Sequence, residues 1–218
     1  ALLAQKTRTV SIEEIIVITS GCTDRTEEIV EEFVAKDDRI QLVHQHQRRG
    51  KASAINLLMD LSDQEIIVLH NADTLSEPTT IEALVSPLAD PEVGMVGGHP
   101  VPINPATTFM GFGVRLLWEL HHQISLRRPK MGELIAFRSV FRQIPYDSAV
   151  DEASIEPLII GQGLRLLYAP EAIIRNKGPE TVRDFLKQRR RIFAGHLYVK
   201  DLVGYQVSTI KGLPIAWL

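Results

Sequence analysis

Cysteine is all but missing from this chain, with Cys22 alone among 218 residues. A single thiol excludes an internal disulfide and suits a reducing, intracellular compartment. No apolar run is long enough to span a bilayer, and no stretch reads as a secretory leader. A cytoplasmic location is therefore expected. A strong charge of one sign is also missing. The formal net charge of −3 gives no general affinity for nucleic acid, so no nucleic-acid partner is expected. Internal repeats and low-complexity linkers are absent, and with them any convincing internal domain boundary.

What is present is ordinary globular composition, 44% apolar and 23% charged, at a length that favours one large domain over two small ones. Positive charge is local, in Arg48-Arg49-Gly50-Lys51, Arg127-Arg128 and Arg189-Arg190-Arg191. Each such cluster is a solvated surface unless its position argues otherwise. The chain opens on Ala1-Leu2-Leu3-Ala4-Gln5, which reads as the tail of a helix. It closes on the apolar Gly212-Leu213-Pro214-Ile215-Ala216-Trp217-Leu218. Both ends are read as those of a fragment.

Apolar runs and helical stripes alternate through the first hundred residues. Glu14 to Thr19 and Ile40 to His44 read as strands, with a polar turn from Ser20 to Thr26 between them and an apolar helix stripe at Ile29, Val30, Phe33 and Val34. Asp24 with Glu27 has capping-box spacing. Gly50 to Leu61 fits a helix with Ala52, Ile55, Leu58 and Met59 on one side. Ile81, Leu84, Val85 and Leu88 form the next stripe, and Val93 to Gly97 a short strand. Such alternation predicts an α/β fold with a mostly parallel sheet covered by helices on both faces. Further on, Thr107 to Ile124 predicts a helix, Glu133 to Arg138 a strand, and Asp151 to Ile160 a helix ending near Gly161 or Gly163. Leu164 to Tyr168 and Ala172 to Ile174 predict short strands, and Pro179 opens a long helix.

The stretch around which this order turns is Glu65-Ile66-Ile67-Val68-Leu69-His70-Asn71-Ala72-Asp73-Thr74. A buried parallel strand ends there in oxygen-bearing side chains. In extended geometry Asn71 and Asp73, two apart, point to one face at the strand's carboxyl end, where open α/β sheets bind ligands. A carboxylate beside a carboxamide suits a divalent cation held through oxygen. A plain turn that caps the next helix fits the same residues equally well. His44 with His46, and His121 with His122, show no third ligand at metal-site spacing and read as surface or core residues.

Five features in order resemble glycosyltransferase family 2, the inverting enzymes of the GT-A fold. Ile16 to Thr26 is similar to that family's strand and Ser-Thr-Asp-Gly-Thr turn. Gly50-Lys51-Ala52-Ser53-Ala54-Ile55-Asn56 resembles its Gly-Lys-Ala-x-Ala-x-Asn helix start, and Asn71-Ala72-Asp73 occupies the place of Asp-x-Asp. Asp151-Glu152, followed by Gly163-Leu164-Arg165-Leu166-Leu167-Tyr168-Ala169-Pro170-Glu171-Ala172, is similar to the acidic pair and the Gly-x-Arg run. Gln188-Arg189-Arg190-Arg191-Ile192 is like Gln-x-x-Arg-Trp, with Ile for Trp. The family's opening strand, ending in Pro-x-Tyr-Asn-Glu, is absent from this sequence.

The resemblance implies a single catalytic domain with a nucleotide-sugar half over about residues 1–100 and an acceptor half over about 101–218. It implies transfer of a sugar from a nucleoside-diphosphate donor, with inversion, to an unidentified carbohydrate or lipid-linked acceptor. Mg²⁺ or Mn²⁺ would sit on Asp73, with Asn71 contributing a neutral oxygen to the metal or to a ribose hydroxyl. Asp24, Lys51, Gln188, Arg189 and Arg191 would face the nucleotide, its diphosphate or the acceptor channel. By its spacing to Gly163, Glu152 falls where the family's general base lies, with Asp151 as its competitor. Many similar proteins act on lipid-linked or polymer acceptors, and the basic helix over Asp184 to Lys200 precedes an apolar C-terminal stretch. The resemblance therefore implies association with the cytoplasmic face of a membrane through a segment beyond Leu218, either membrane helices or an interfacial one. Two other functions stay open. A sugar-phosphate nucleotidyltransferase needs a glycine-rich N-terminal loop carrying arginine, which this sequence lacks. A catalytically silent binding module fits the missing charge at Asn71.

Overall fold

The computed structural model describes residues 1–47, 49–145 and 151–205. Arg48 of the first basic cluster and the apolar stretch 212–218 lie outside them. Strand β1 (Ile15–Ser20) pairs in parallel with β2 (Ile40–Gln45), Ile15 standing opposite Ile40, and helix α1 (Thr26–Val34) connects them. Helix α2 (Lys51–Leu61) follows, then β3 (Ile66–His70), the two-residue β4 (Leu75–Ser76) and α3 (Thr80–Val85). The rest of the described chain holds β5 (Val93–Pro102), α4 (Phe109–Arg127), β6 (Leu134–Arg138), α5 (Asp151–Gly161), β7 (Arg165–Asn176) and α6 (Val182–Val203).

The helix and strand order matches the α/β expectation, while the pairing is more mixed than simple alternation suggests. A five-stranded sheet runs β3-β6-β5-β7-β4. Within it β5 and β7 are parallel, whereas β6 is antiparallel to both β3 and β5, and β4 to β7. Strands β1 and β2 form a separate two-stranded sheet. Neither β1 nor β3 has a second ladder partner among the described residues. Between them lies a cavity of about 520 Å³, lined by Ile15 to Ile18, Ile66 to Val68, Leu58 of α2, and Ile81 and Val85 of α3. The two short strands expected at 164–168 and 172–174 are one strand, β7, continued through an irregularity in its register with β5 between Gly97 and His99.

Period-two side-chain placement builds the core on both faces of the larger sheet. In β6, Ile135 and Phe137 join an apolar cluster with Ala52, Ile55 and Met59 of α2 and Ile155 and Ile159 of α5. Leu134 and Ala136 point the other way, to Leu84 of α3, Leu88 and Ile174 of β7. In β5 the register with β7 shifts between Val93 and Met95, so Val93 and Val96, three residues apart, share a face. Gly94 sits at that shift because a Cβ there would fall 2.5 Å from Ile159 Cγ2. Asn56 is buried and structural. It donates from Nδ2 to the Ile144 carbonyl at 3.0 Å and accepts the Ile144 N–H at 2.8 Å, tying α2 to the chain after β6.

Candidate active site

The carboxyl end of β3 opens into a second cavity, of about 700 Å³. The chain leaves β3 in a turn rather than in extended form: the N–H and hydroxyl of Thr74 both donate to the Asn71 carbonyl, at 3.2 and 2.7 Å. Asn71, Ala72 and Asp73 make a turn and line the cavity, but the turn leads into β4 and does not cap the next helix, α3, whose N-cap is Thr79. Lys51 at the start of α2, Asp151 and Glu152 at the start of α5, and Gln188, Arg189 and Arg191 on α6 line the same cavity. Segments separated by over a hundred residues thus bring eight of the nine expected site residues together. The ninth, Asp24, is not in this lining: its Oδ1 accepts the Thr26 N–H at 3.0 Å in the turn that starts α1. The anticipated capping box is not formed either, because Glu27 instead accepts from the Thr19 hydroxyl at 2.6 Å.

Two acids and one cation meet at the helix starts. Lys51 Nζ lies 3.3 Å from Asp151 Oδ2 and 3.3 Å from Glu152 Oε1. Burial works against the Lys51 charge, but Glu152 and Asp151 outweigh it and raise the ammonium pKa. Asp151 goes the other way from an ordinary paired acid: burial, reinforced by Glu152, raises its carboxyl despite Lys51. Desolvation is the stronger influence at Asp151, whose side chain is 7% exposed against 22% for Glu152. Arg189 donates to Gln188 Oε1 at 3.0 Å and lies with its guanidinium 5.7 Å from the Phe185 ring centre, its pKa lowered by burial.

The cavity also gathers residues that sequence reasoning passed over. Glu133, immediately before β6, accepts from Asn71 Nδ2 at 2.8 Å, and burial raises its pKa. Glu156, one helical turn beyond Glu152, accepts from the Tyr205 hydroxyl at 2.5 Å and is pushed up to about 7 by burial. Lys130 is lowered by burial, and His121 and His196 are held down to about 3 and about 4, burial being the largest cause for both. These histidines are neutral at physiological pH and ready to accept or donate a hydrogen bond. Each of these residues came without a motif. Gly178 lets the segment after β7 close against α4, since a Cβ there would lie 2.5 Å from Val114 Cγ1.

Polar satisfaction marks the cavity most clearly. Among the described residues, buried side-chain atoms without a partner are Gln45 Oε1, His121 Nε2, Asp151 Oδ1, Asn176 Oδ1, Arg189 Nε and His196 Nδ1. All but the first belong to residues lining this cavity. An unpaired buried polar group costs about 1–3 kcal/mol, so its persistence asks for an explanation, and a ligand that completes the bonding is one. No group of three or more His, Cys, Asp or Glu among the described residues is arranged to hold a metal ion. Asp73 and the carboxamide of Asn71 nevertheless fit a hard cation of the kind bound by one or two protein oxygens plus substrate phosphates.

Comparison with known proteins gives the family and the fold. The sequence profile described as Glycosyl transferase family 2 matches residues 1–149, well over half the chain. The chain belongs to glycosyl transferase family 2. Over 207 residues it is 28% identical to the probable glycosyltransferase YdaM of Bacillus subtilis, covering 85% of this chain and 48% of that protein. It is 25% identical over 191 residues to the poly-β-1,6-N-acetyl-D-glucosamine synthase of Staphylococcus aureus, covering 82% of this chain and 46% of that one. The chain thus spans about half the length of these curated relatives. Among solved structures, the mannosyltransferase PcManGT of Pyrobaculum calidifontis, in complex with GDP-Man and Mn²⁺, superposes with a TM-score of 0.63 at 27% identity. That match covers 81% of this chain and 51% of PcManGT. The glucosyl-3-phosphoglycerate synthase of Mycobacterium tuberculosis, at 18% identity and a TM-score of 0.56 over 86% of this chain and 69% of its own, shares the fold. The GT-A architecture expected from the sequence is the one found.

Proposed function

We propose that this family 2 domain transfers a sugar from a nucleoside-diphosphate donor to an acceptor hydroxyl, with inversion and with a divalent cation. The observation that carries the reading is the cavity at the end of β3, where family-motif residues and unpaired buried polar atoms converge. The acceptor oxygen attacks the anomeric carbon as the bond from that carbon to the diphosphate oxygen breaks. The nucleoside diphosphate leaves with the bonding pair, and the acceptor proton passes to a carboxylate. A single displacement of this kind inverts the centre and needs one base.

Glu152 is that base: it is the more exposed of the paired acids, 22% against 7% for Asp151, and it opens on the cavity beside Lys51. Asp73 and the Asn71 oxygen would hold Mg²⁺ or Mn²⁺, which would supply Lewis-acid neutralisation of the charge on the departing diphosphate. Arg189 and Arg191 bind the diphosphate through their planar forks, with Gln188 beside them. Lys51 reaches the donor from α2. One catalytic domain, with a donor half to about residue 100 and an acceptor half beyond, is supported by a sheet in which β3 and β5 interleave with β6 and β7. The acceptor is a carbohydrate or a lipid-linked molecule.

The test is a panel of nucleoside-diphosphate sugars with Mn²⁺, scored for cation-dependent hydrolysis or transfer. Release of nucleoside diphosphate from one donor is expected. Silence across the panel, or release of pyrophosphate from a nucleoside triphosphate instead, would overturn the reading.

The same reading includes docking on an anionic lipid surface through α6. No helix among the described residues is long and apolar enough to cross a membrane. Val182, Leu186, Phe193 and Leu197 are exposed on one face of α6 at helical spacing. The helix carries six cationic side chains against two acidic ones, in a chain whose net charge is −3. An apolar stripe with basic flanks is the composition that lies in a bilayer interface, each cation near an anionic surface adding about 1 kcal/mol. Flotation with phosphatidylcholine vesicles is expected to recover the protein only when phosphatidylglycerol is included, and less of it in high salt. Leu186→Glu with Phe193→Glu should abolish recovery. Equal flotation of this double variant would exclude the stripe.

A further inference from the structure

The site holds one carboxylate fewer in its Asn71-Ala72-Asp73 turn than an Asp-x-Asp sequence supplies, and the structure shows what stands beside the gap. Strands β3 and β6 are antiparallel, with His70 opposite Leu134. One step further along that ladder sets Asn71 across from Glu133. The contact is made: Asn71 Nδ2 donates to Glu133 Oε2 at 2.8 Å. A carboxylate accepts only, so the amide must present its nitrogen to Glu133, which leaves the carboxamide oxygen for another partner. Both residues line the same cavity as Asp73. The charged groups around Glu133 come from several elements: Asp73 after β3, Lys51 of α2, Glu152 of α5 and Arg189 of α6.

Building on the transferase reading above, we propose that Glu133 is a positioning residue for donor and cation. It fixes the Asn71 carboxamide with its oxygen toward them, and it supplies from the start of β6 the negative charge that position 71 lacks. Amide just after β3 and carboxylate just before β6 then carry the same total charge as the exchanged arrangement, carboxylate at 71 and amide at 133.

The test uses four proteins: the wild type, Glu133→Gln, Asn71→Asp, and the double variant. Binding of Mn²⁺ is followed by the loss of its free electron paramagnetic resonance signal, with GDP and in parallel with UDP. Thermal denaturation without cation is followed from pH 5.5 to 8.5. Glu133→Gln keeps an acceptor for Asn71 but loses the charge, and is expected to weaken Mn²⁺ binding about 10–100-fold, as loss of an outer-shell partner does. Adding Asn71→Asp should recover most of that loss. Asn71→Asp alone sets two carboxyls within hydrogen-bond reach, so the pair holds a proton and its folded pKa rises. Its stability should therefore be present at low pH and fall as pH rises through that pKa, a slope absent from the double variant.

The inference is overturned if Glu133→Gln binds Mn²⁺ as the wild type does, or if the double variant binds no better than Glu133→Gln. A pH profile of Asn71→Asp that matches the double variant would overturn the contact itself. If the wild type binds Mn²⁺ with neither nucleotide, the transferase reading falls and takes this one with it, while the denaturation profiles still report the pairing.

Discussion

Asp73→Ala is expected to lower transfer by about 10²–10³-fold at fixed Mn²⁺, and Asp73→Asn to do nearly as much. Asp73 is the only carboxylate in the turn that ends β3, because position 71 is already an amide. Stabilising a departing diphosphate through a bound cation contributes several kcal/mol. At about 1.4 kcal/mol per decade, losing ~3–4 kcal/mol gives the stated range. The asparagine variant separates charge from shape: it keeps an oxygen in place while leaving two neutral amides where the cation sits. The Mn²⁺ concentration needed for half-maximal rate should rise in both variants, and the fold should not suffer, since Asp73 is exposed in the turn. Steady-state rates across a Mn²⁺ titration decide it. Wild-type behaviour of Asp73→Asn would remove Asp73 from the cation site.

Much of the fold was legible because apolar periodicity is a local signal. The stripe of α2 and the strand ending at Arg138 were visible as patterns and form the core, whereas the run ending at His70, expected as a buried parallel strand, pairs antiparallel at the edge of its sheet with only Ile67 buried. Strand pairing was not legible to the same degree. Alternation of strand and helix suggests parallel neighbours, yet β6 enters antiparallel between β3 and β5, although the long helix α4 stands between β5 and β6 in the chain. Nothing in Leu134 to Arg138 itself carries that information.

The candidate site divides in the same way. Motif residues such as Lys51, Asp73 and Glu152 announce themselves by spacing. Glu133 reads as the polar edge of a strand, Glu156 as one polar position in an apolar helix, and His121 as half of a pair at the surface or in the core. What gives each a role is a long-range neighbour: Asn71, Tyr205, or an unfilled bond in a buried cavity. The one weak signal was register. Had the antiparallel pairing of β3 and β6 been known, Glu133 would have followed from Asn71 by counting.

Glu152→Gln and Asp151→Asn should separate the two acids at the start of α5 by rate rather than by affinity. Proton abstraction by a positioned base contributes about 10²–10⁴-fold, so Glu152→Gln is expected to lower kcat by that factor and leave KM for the donor close to wild type. Asp151 stands deeper, its Oδ2 3.3 Å from Lys51 and its Oδ1 buried without a partner, a position suited to holding Lys51 rather than to meeting an acceptor. Asp151→Asn should therefore act through Lys51 and raise KM for the donor, with a smaller loss in kcat. The reverse order, kcat collapsing in Asp151→Asn with Glu152→Gln nearly intact, would make Asp151 the base. It would also mean that a carboxyl raised by burial and released from Lys51 on donor binding takes the proton, since a higher pKa makes a stronger base once the acid is ionised.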